Sequence, residues 1–312
     1  MHIQRAGLLT TVQDLGRRGY QAVGVPPCGA MDSWSARLAN RLVGNSDRSA
    51  LLEITIVGPR LTIDREAWIA VAGADFEVRI GAVTRRVPFV SHVMPGTDVA
   101  FGERRCGARA YLAVDGGIAT PPVLGSASTH LLARMGGVDG RALKAGDRVP
   151  LGAPGTVKPP PLLSLDLAAL TPRSETTLHV VPGAASDDIA ADAFATLCRE
   201  RFTLSARSDR MGYRLSNSAR WPSVSASQLS SPTATGSIQL PPDGTPILLM
   251  ADRQTTGGYL QIGVLQRADR PSAGQLAPGD RVSFAATTVQ AAAAAYAALE
   301  TRLNMIAAEV RA

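Results

Sequence analysis

Asp252, Arg253, Gln254, Thr255 and Thr256 stand in an unbroken row, with Gly257, Gly258 and Tyr259 directly behind them. The row places a carboxylate, a guanidinium, an amide and two hydroxyls side by side. A guanidinium binds a carboxylate or a phosphate through two parallel hydrogen bonds. A carboxylate beside it either orients that guanidinium or moves a proton. Hydroxyls and the backbone N–H groups of Gly257 and Gly258 can hold an oxyanion. Two further stretches have similar content. SDRMGYRL at 208–215 supplies Ser208, Asp209, Arg210 and Tyr213, and QDLGRRGY at 13–20 supplies Gln13, Asp14, Arg17 and Arg18 beside two glycines. Each of the three also reads as a solvated turn closed by its own Asp–Arg pair.

The elements around the first row give it weight. Ile247 to Met250 is a short apolar run, the pattern of a strand buried on both faces. Tyr259 opens a second, alternating run. A hairpin between them needs only about two to five residues, and this connection is longer. Its glycine pair lets backbone approach a ligand closely. Replacing Asp252 or Arg253 with alanine is expected to abolish function without unfolding the chain.

Other chemistries find no support. There is no HExxH, no GxSxG, no GxGxxG after a strand and no GxxxxGK[ST] phosphate loop. His2, His92, His130 and His179 are isolated, and His179 alternates with valines in an expected strand, which reads as structural. Lys144, in the turn ALKAGD, and Lys158 are the only lysines, and neither has the context of a biotin attachment site. Cys28, Cys106 and Cys198 are scattered, with no CxxC. They imply free thiols in a reducing compartment and no metal site.

The chain has 312 residues, a prior for about two domains, and is 45% hydrophobic and 19% charged. Formal charge is +6, almost all of the basic residues being scattered arginines rather than clusters with interleaved aromatics. That pattern argues against nucleic acid. No apolar run reaches the about 18 residues of a membrane span and no leader pattern opens the chain, so a cytoplasmic protein without a membrane anchor is expected.

In chain order, Leu8 to Val12 reads as a strand. MDSWSARLANRLVG at 31–44 reads as a helix, capped by Asp32 or Ser33 and stopped at Gly44-Asn45. Short runs at 51–57, 60–63, 67–71, 76–80, 98–101 and 110–114 read as strands of a barrel or sandwich. A triple proline marks a linker over 156–174. Beyond it come a strand at 176–181, a helix from Ser186 to about Arg199 with Asp187 and Asp188 at its start, and a strand at 202–204. An alanine-rich helix follows at 288–311, with Tyr296, Leu299 and Leu303 as its apolar stripe, packed on the body or on a partner.

ALKAGDRVPL at 142–151 and QLAPGDRVSF at 275–284 share GDRV. Each copy follows a strand and a glycine-rich connection, AYLAVDGG at 110–117 and ILLMADRQTTGG at 247–258. Two similar β modules in tandem explain that order, the second carrying the elaborated loop.

GLLTTVQDLGRRGY (7–20), MDSWSARLANRLVGN (31–45), LEITIVGP (52–59), SDRMGYRL (208–215), LPPDGTPILLMADRQTTGGY (240–259) and LAPGDRV (276–282) together resemble the biotin-dependent carboxyltransferase-like family. That family includes the C subunit of bacterial 5-oxoprolinase, the kinase-A-inhibitor antagonist, the so-called allophanate hydrolase subunit 2 and part of urea carboxylase. The resemblance implies a mainly β chain. Two cyclophilin-like barrels would lie at 1–155, with its helix at 31–44, and at 175–286, joined by the 156–174 linker and followed by a helix over 287–312.

The resemblance also implies one component of a hydrolase, acting with the A and B subunits of a 5-oxoprolinase complex on 5-oxoproline, a small lactam. ATP would be co-substrate of the complex, and the chain alone would have little activity. The alternatives are a carboxyltransferase component acting on urea or another amide, and a regulatory protein that binds an inhibitor of a sensor kinase. Independent allophanate hydrolysis is disfavoured, because no serine–lysine amidase pattern is present. A homo-oligomer is left open. Carried over residue by residue, the catalytic candidates are Asp252, Arg253, Gln254, Asp209 and Arg210. The substrate-binding candidates are Gln13, Asp14, Arg17, Ser208, Tyr213, Thr255, Thr256, Gly257, Gly258 and Tyr259. Arg210 and Arg253 would meet an anionic substrate, and Asp209 and Asp252 would orient them or exchange protons.

Overall fold

The computed structural model describes residues 1–155, 175–183, 188–222 and 229–309. The linker expected over 156–174 falls outside the described residues, as do Ser186 and Asp187. The chain divides into two compact units. Of the described residues, 1–17, 28–155 and 301–309 belong to the first, and 18–27 and 175–300 to the second. The class is mainly β, with a barrel-type sheet in each unit and a C-terminal helix, as the sequence implies.

The first unit contains β1 (His2–Arg5), β2 (Leu9–Gln13), α1 (Ser33–Leu42), β3 (Leu51–Thr55), β4 (Arg60–Thr62), β5 (Ala67–Ile80), β6 (Val83–Arg86), β7 (Phe89–Val93) and β8 (Asp98–Val114). The strands form one sheet with the path β1-β4-β8-β3-β2, with β5 on β8 and with β6 and β7 on β5. β5 and β8 replace the four short strands expected between 67 and 114. Their pairing runs from Ile69 opposite Val114 to Ile80 opposite Val99, with register shifts between Gly73 and Val78. Bulges of this kind add twist without ending a strand. The polar stretch GERRCGAR at 102–109 breaks the apolar pattern, so the two ends of β8 read separately in the sequence.

The core is aliphatic. Leu52, Ile54, Ile69, Val71, Leu112 and Val114 are almost completely excluded from water, each contributing about 1.5–3 kcal/mol of transfer free energy. A buried polar network ties α1 to this sheet. Tyr111 Oη donates to Glu53 Oε2 (2.8 Å) and accepts the Asp32 N–H (2.8 Å), while the Met31 N–H donates to Glu53 Oε2 (2.8 Å). Burial, and then the charge of Glu53, push the Tyr111 phenol well above its usual range, so it stays a donor. Asp32 caps α1 as expected, accepting the Ser35 N–H at 2.9 Å.

The second unit contains β9 (Glu175–Pro182), α2 (Asp188–Arg199), β10 (Arg201–Leu204), β11 (Gly212–Ser216), β12 (Ser231–Pro232), β13 (Ser237–Leu240), β14 (Ile247–Leu249), β15 (Thr256–Gly257), β16 (Leu260–Leu265), α3 (Arg270–Gly274) and β17 (Arg281–Ala286). Seven strands close a barrel in the order β10-β11-β14-β13-β16-β9-β17, and β12 pairs with β15 beside it. Closure leaves the barrel no free edge. β9 and β17 pair in parallel. Phe202 and Phe284 meet edge to face at 5.7 Å inside it.

The two units share a detail that the GDRV repeat anticipates. In the first, the Lys144 N–H donates to Asp147 Oδ2 (2.8 Å) and the Asp147 N–H to the Lys144 carbonyl (3.2 Å). In the second, the Ala277 N–H donates to Asp280 Oδ2 (2.8 Å) and the Asp280 N–H to the Ala277 carbonyl (3.0 Å). The glycine in each turn has the same left-handed backbone, φ +91° at Gly146 and +92° at Gly279. Each turn also holds a strand in the same way. Ile3 exchanges backbone hydrogen bonds with Gly146 and Asp147, and Leu204 does so with Gly279 and Asp280. Thus β1 and β10 are equivalent strands of a duplicated module.

The last helix, α4 (Val289–Glu309), carries the alanine-rich tail. Within the first unit, Leu303 is fully buried and its carbonyl accepts from Arg41 Nη1 at 3.2 Å. Among the described residues no helix is long and apolar enough to cross a membrane.

Candidate functional site

β14 is held between β11 and β13 in the barrel wall, so the chain leaving it at Met250 is fixed in position. The segment 208–211 arrives beside it. The Met250 N–H donates to the Met211 carbonyl (2.9 Å) and the Asp252 N–H to the Arg210 carbonyl (2.9 Å). This backbone pairing brings two of the polar stretches together. Arg210 Nε donates to Asp252 Oδ2 and Nη2 to Asp252 Oδ1, both at 2.8 Å. The side chains are 4% and 5% exposed. Both carboxylate oxygens of Asp252 therefore face a guanidinium, which assigns Asp252 to orientation rather than proton exchange.

Arg253 is also buried. Its Nη1 donates to Thr235 Oγ1 (2.9 Å) and its Nη2 to the Thr233 carbonyl (3.2 Å). The Gln254 carbonyl accepts from Thr233 Oγ1, and Gln254 Nε2 donates to Gln239 Oε1 at 3.2 Å. Thr256 and Gly257 pair with Pro232 and Ser231. A Cβ on Gly257 would lie 2.7 Å from Gln239 Nε2, so a glycine is needed here to admit the glutamine amide. Gln21, on the 18–27 segment of this unit, donates to the Thr233 carbonyl at 3.5 Å. The loop 252–257 is thus fastened at several points. It leaves Thr256 and Tyr259 exposed and Gln254, Thr255 and Gly258 half-buried.

The remaining candidates of this unit do other things. Asp209 is exposed, and its Oδ1 accepts the Met211 N–H (2.8 Å) and the Gly212 N–H (3.2 Å), closing the turn into β11. Ser208 Oγ accepts the Arg214 N–H at 3.0 Å. Tyr213 is buried in the barrel wall, opposite Leu248.

Gln13, Asp14 and Arg17 belong to the first unit, where they grip the loop 123–137. Asp14 Oδ1 accepts from the Gly16 N–H (2.7 Å), Ser126 Oγ (2.6 Å) and Ser128 Oγ, and Oδ2 from the Ala127 N–H (2.8 Å). Arg17, 1% exposed, donates to the carbonyls of Val123 and Ser128. Gln13 Nε2 donates to Thr11 Oγ1 and the Thr129 carbonyl, both at 3.1 Å. Gly136 is pressed against the same site, since a Cβ there would lie 2.2 Å from the Ser128 carbonyl oxygen.

Sequence reasoning passed over Thr233, Thr235 and Gln239, which receive the loop, and over Arg267 and Arg270. A buried glutamine in the apolar strand SIQL was one available signal. RADR at 267–270 was another, since it puts two arginines three residues apart directly after a strand.

Comparisons with known proteins place this arrangement. Residues 23–286 match the family described as "Carboxyltransferase domain, subdomain A and B". The C subunit of the Escherichia coli (strain K12) 5-oxoprolinase is 35% identical over 292 residues, covering 94% of this chain and 93% of that protein. The urea amidolyase of Lachancea kluyveri is 33% identical over 92% of this chain, which corresponds to 17% of that protein. The crystal structure of the K. lactis urea amidolyase superposes with a TM-score of 0.87 at 29% identity, over 98% of this chain and 20% of that one. The chain belongs to the carboxyltransferase subdomain A and B family.

Proposed function

We propose that this chain is the C component of an ATP-dependent 5-oxoprolinase-type complex, working with A and B subunits to open 5-oxoproline to glutamate. The observation that carries the reading is the 35% identity to the C subunit of a 5-oxoprolinase along nearly the whole of both chains. The site is compatible with it. The buried Arg210–Asp252 pair and the Arg253 anchors set a loop whose accessible groups are the Gln254 amide, the Thr255 and Thr256 hydroxyls and the Tyr259 ring. These groups can bind and orient an amide and its carboxylate. Among the candidate residues none is arranged as a nucleophile with its base, so bond-breaking needs groups from the partner subunits, as a chain inactive alone requires.

The test is 5-oxoproline-dependent ATP hydrolysis, measured with the purified chain alone and after mixing with candidate A and B subunits. Turnover only in the full mixture supports the reading, and none in a mixture shown to assemble refutes it. The superposition on a urea amidolyase favours one second reading, a carboxyltransferase component for urea or another amide. In that case urea-dependent consumption of carboxybiotin replaces oxoproline turnover in the same preparations.

A further inference from the structure

Three guanidinium groups gather in the second unit beside the turn Thr233–Gly236. Arg253 holds Thr235 Oγ1 and the Thr233 carbonyl. Arg270, at the start of α3, has its Nε buried without a hydrogen bond, 3.6 Å from where a Cβ on Gly236 would stand. Arg267, one turn earlier, is exposed and lies over the Tyr296 ring, 4.1 Å from its centroid. The carboxylate within the RADR segment does not serve them. Asp269 Oδ2 accepts from the His179 N–H (2.6 Å) and contacts His179 Nδ1 (2.9 Å), and Oδ1 accepts from Gln266 Nε2 (2.8 Å). Among the described residues, Arg267 and Arg270 meet no carboxylate in a salt bridge.

Burying like charges together is unfavourable unless something neutralises them. Burial, and then the repulsion of Arg267 and Arg253, pull Arg270 down to about 10, still protonated at neutral pH. A cluster of this kind is a preorganised site for an anion with more than one charge and several acceptor oxygens. A monocarboxylate would neutralise only one of the three guanidiniums.

We propose that Arg267 and Arg270, with Arg253 behind them, form a binding site for a phosphoryl dianion, either free or carried on a larger molecule. The proposal concerns the isolated chain and stands apart from the 5-oxoprolinase reading, so its test uses no partner subunit. Calorimetric titrations of the purified chain in phosphate-free, low-salt buffer would use inorganic phosphate, ATP and acetate, with melting temperature recorded in parallel. Saturable one-to-one binding of phosphate or ATP, with acetate at least about tenfold weaker, is expected. Phosphate binding indicates a free group, and ATP binding alone indicates one carried by a nucleotide.

Arg270→Gln should weaken that binding about tenfold or more. It should also raise the melting temperature in the absence of ligand, because it removes a repelled, desolvated charge. Arg267→Gln, at an exposed position, tests the same loss without risk to the fold. Arg207→Gln, exposed and outside the cluster, should bind as wild type does. No saturable binding of either phosphate probe, acetate binding equal to phosphate, or unchanged affinity in Arg270→Gln or Arg267→Gln overturns the proposal.

Discussion

Asp252→Ala removes the carboxylate that grips Arg210 and leaves that guanidinium in a space where it is 4% exposed. Both 2.8 Å hydrogen bonds disappear with it. Breaking a buried ion pair from one side costs about 3–5 kcal/mol. A domain of ordinary stability has about 5–15 kcal/mol in hand, so the variant should fold but with little margin. With a urea m-value of about 1–3 kcal/mol/M, the midpoint for the second unit should fall by about 2 M. Hydrogen exchange at the β11 and β14 amides would place the loss in that barrel. The double variant Arg210→Met/Asp252→Leu fills the same space without charge and should recover most of the stability, since apolar replacement of a buried pair is often neutral or better. A single variant within about 1 kcal/mol of wild type, or a double variant as unstable as the single, would refute the assignment of this pair as a buried anchor. Burial of the pair also replaces the expectation that Asp252→Ala silences the protein while leaving it folded. Loss of activity in that variant reports on loop position and stability before it reports on chemistry.

Other consequences can be tested separately. Thr256→Ala, at an exposed position, should leave the urea midpoint within about 0.5 kcal/mol of wild type while lowering turnover of the assembled complex. Equal turnover removes Thr256 from the site. Gly146→Ala and Gly279→Ala each force a Cβ into φ near +90° with no atom within 4 Å to add a clash. Both should therefore cost about 1–2 kcal/mol, and clearly unequal costs would contradict the equivalence of the two turns. Arg141 above all holds Asp147 below its usual value of 3.8, and the hydrogen bond from Arg60 does the same for Asp98. At Asp47, burial pushes up but Arg41 and Arg37 outweigh it. Carboxyls lowered on folding stabilise the native state above the unfolded value and lose that contribution as pH falls through the folded one. Thermal stability should therefore drop below about pH 4, with a smaller acid loss in Asp147→Asn. An unchanged acid limb in that variant would exclude the Arg141–Asp147 pair as a contributor.

Features written in contiguous residues were legible before the fold was known. Asp32 as a cap, Gly44 as a stop, the strand at 247–250 and the duplicated GDRV turn each depend on neighbours within a few positions. The pairing of Arg210 with Asp252 depends instead on β11 lying against β14, a contact across about forty residues that no local pattern announces. The same limit hid Thr233, Thr235 and Gln239, whose roles exist only because β13 and the 231–236 segment face the loop. Strand length was misread for a related reason. β5 and β8 continue through residues such as Glu103 and Arg105 whose side chains are exposed, and an exposed polar stretch looks the same in sequence whether or not its backbone stays in a ladder.

Duplication offers an internal reference for what the second module gained. In the first, Asp115 follows the buried end of β8, its N–H donates to the Trp68 carbonyl (2.9 Å), and its Oδ1 accepts from Arg65 Nη1 (2.9 Å). In the second, Asp252 follows the buried end of β14, its N–H donates to the Arg210 carbonyl, and its carboxylate takes Arg210. The element is the same: an aspartate leaving a central strand, paired with an arginine that precedes an antiparallel neighbour. The difference lies in how the arginine is used. Arg65 is 23% exposed and spends its remaining donors on the carbonyls of Glu66, Asp115 and Gly152, which closes the glycine turn that follows. Arg210 is bonded to both oxygens of its aspartate and lies out of water. Between Asp252 and the glycines the second copy inserts Arg253, Gln254, Thr255 and Thr256, where the first has none. A shared strand-end clamp that closes a turn in one barrel therefore supports an inserted polar loop in the other. This locates the functional specialisation of the pair in the second unit.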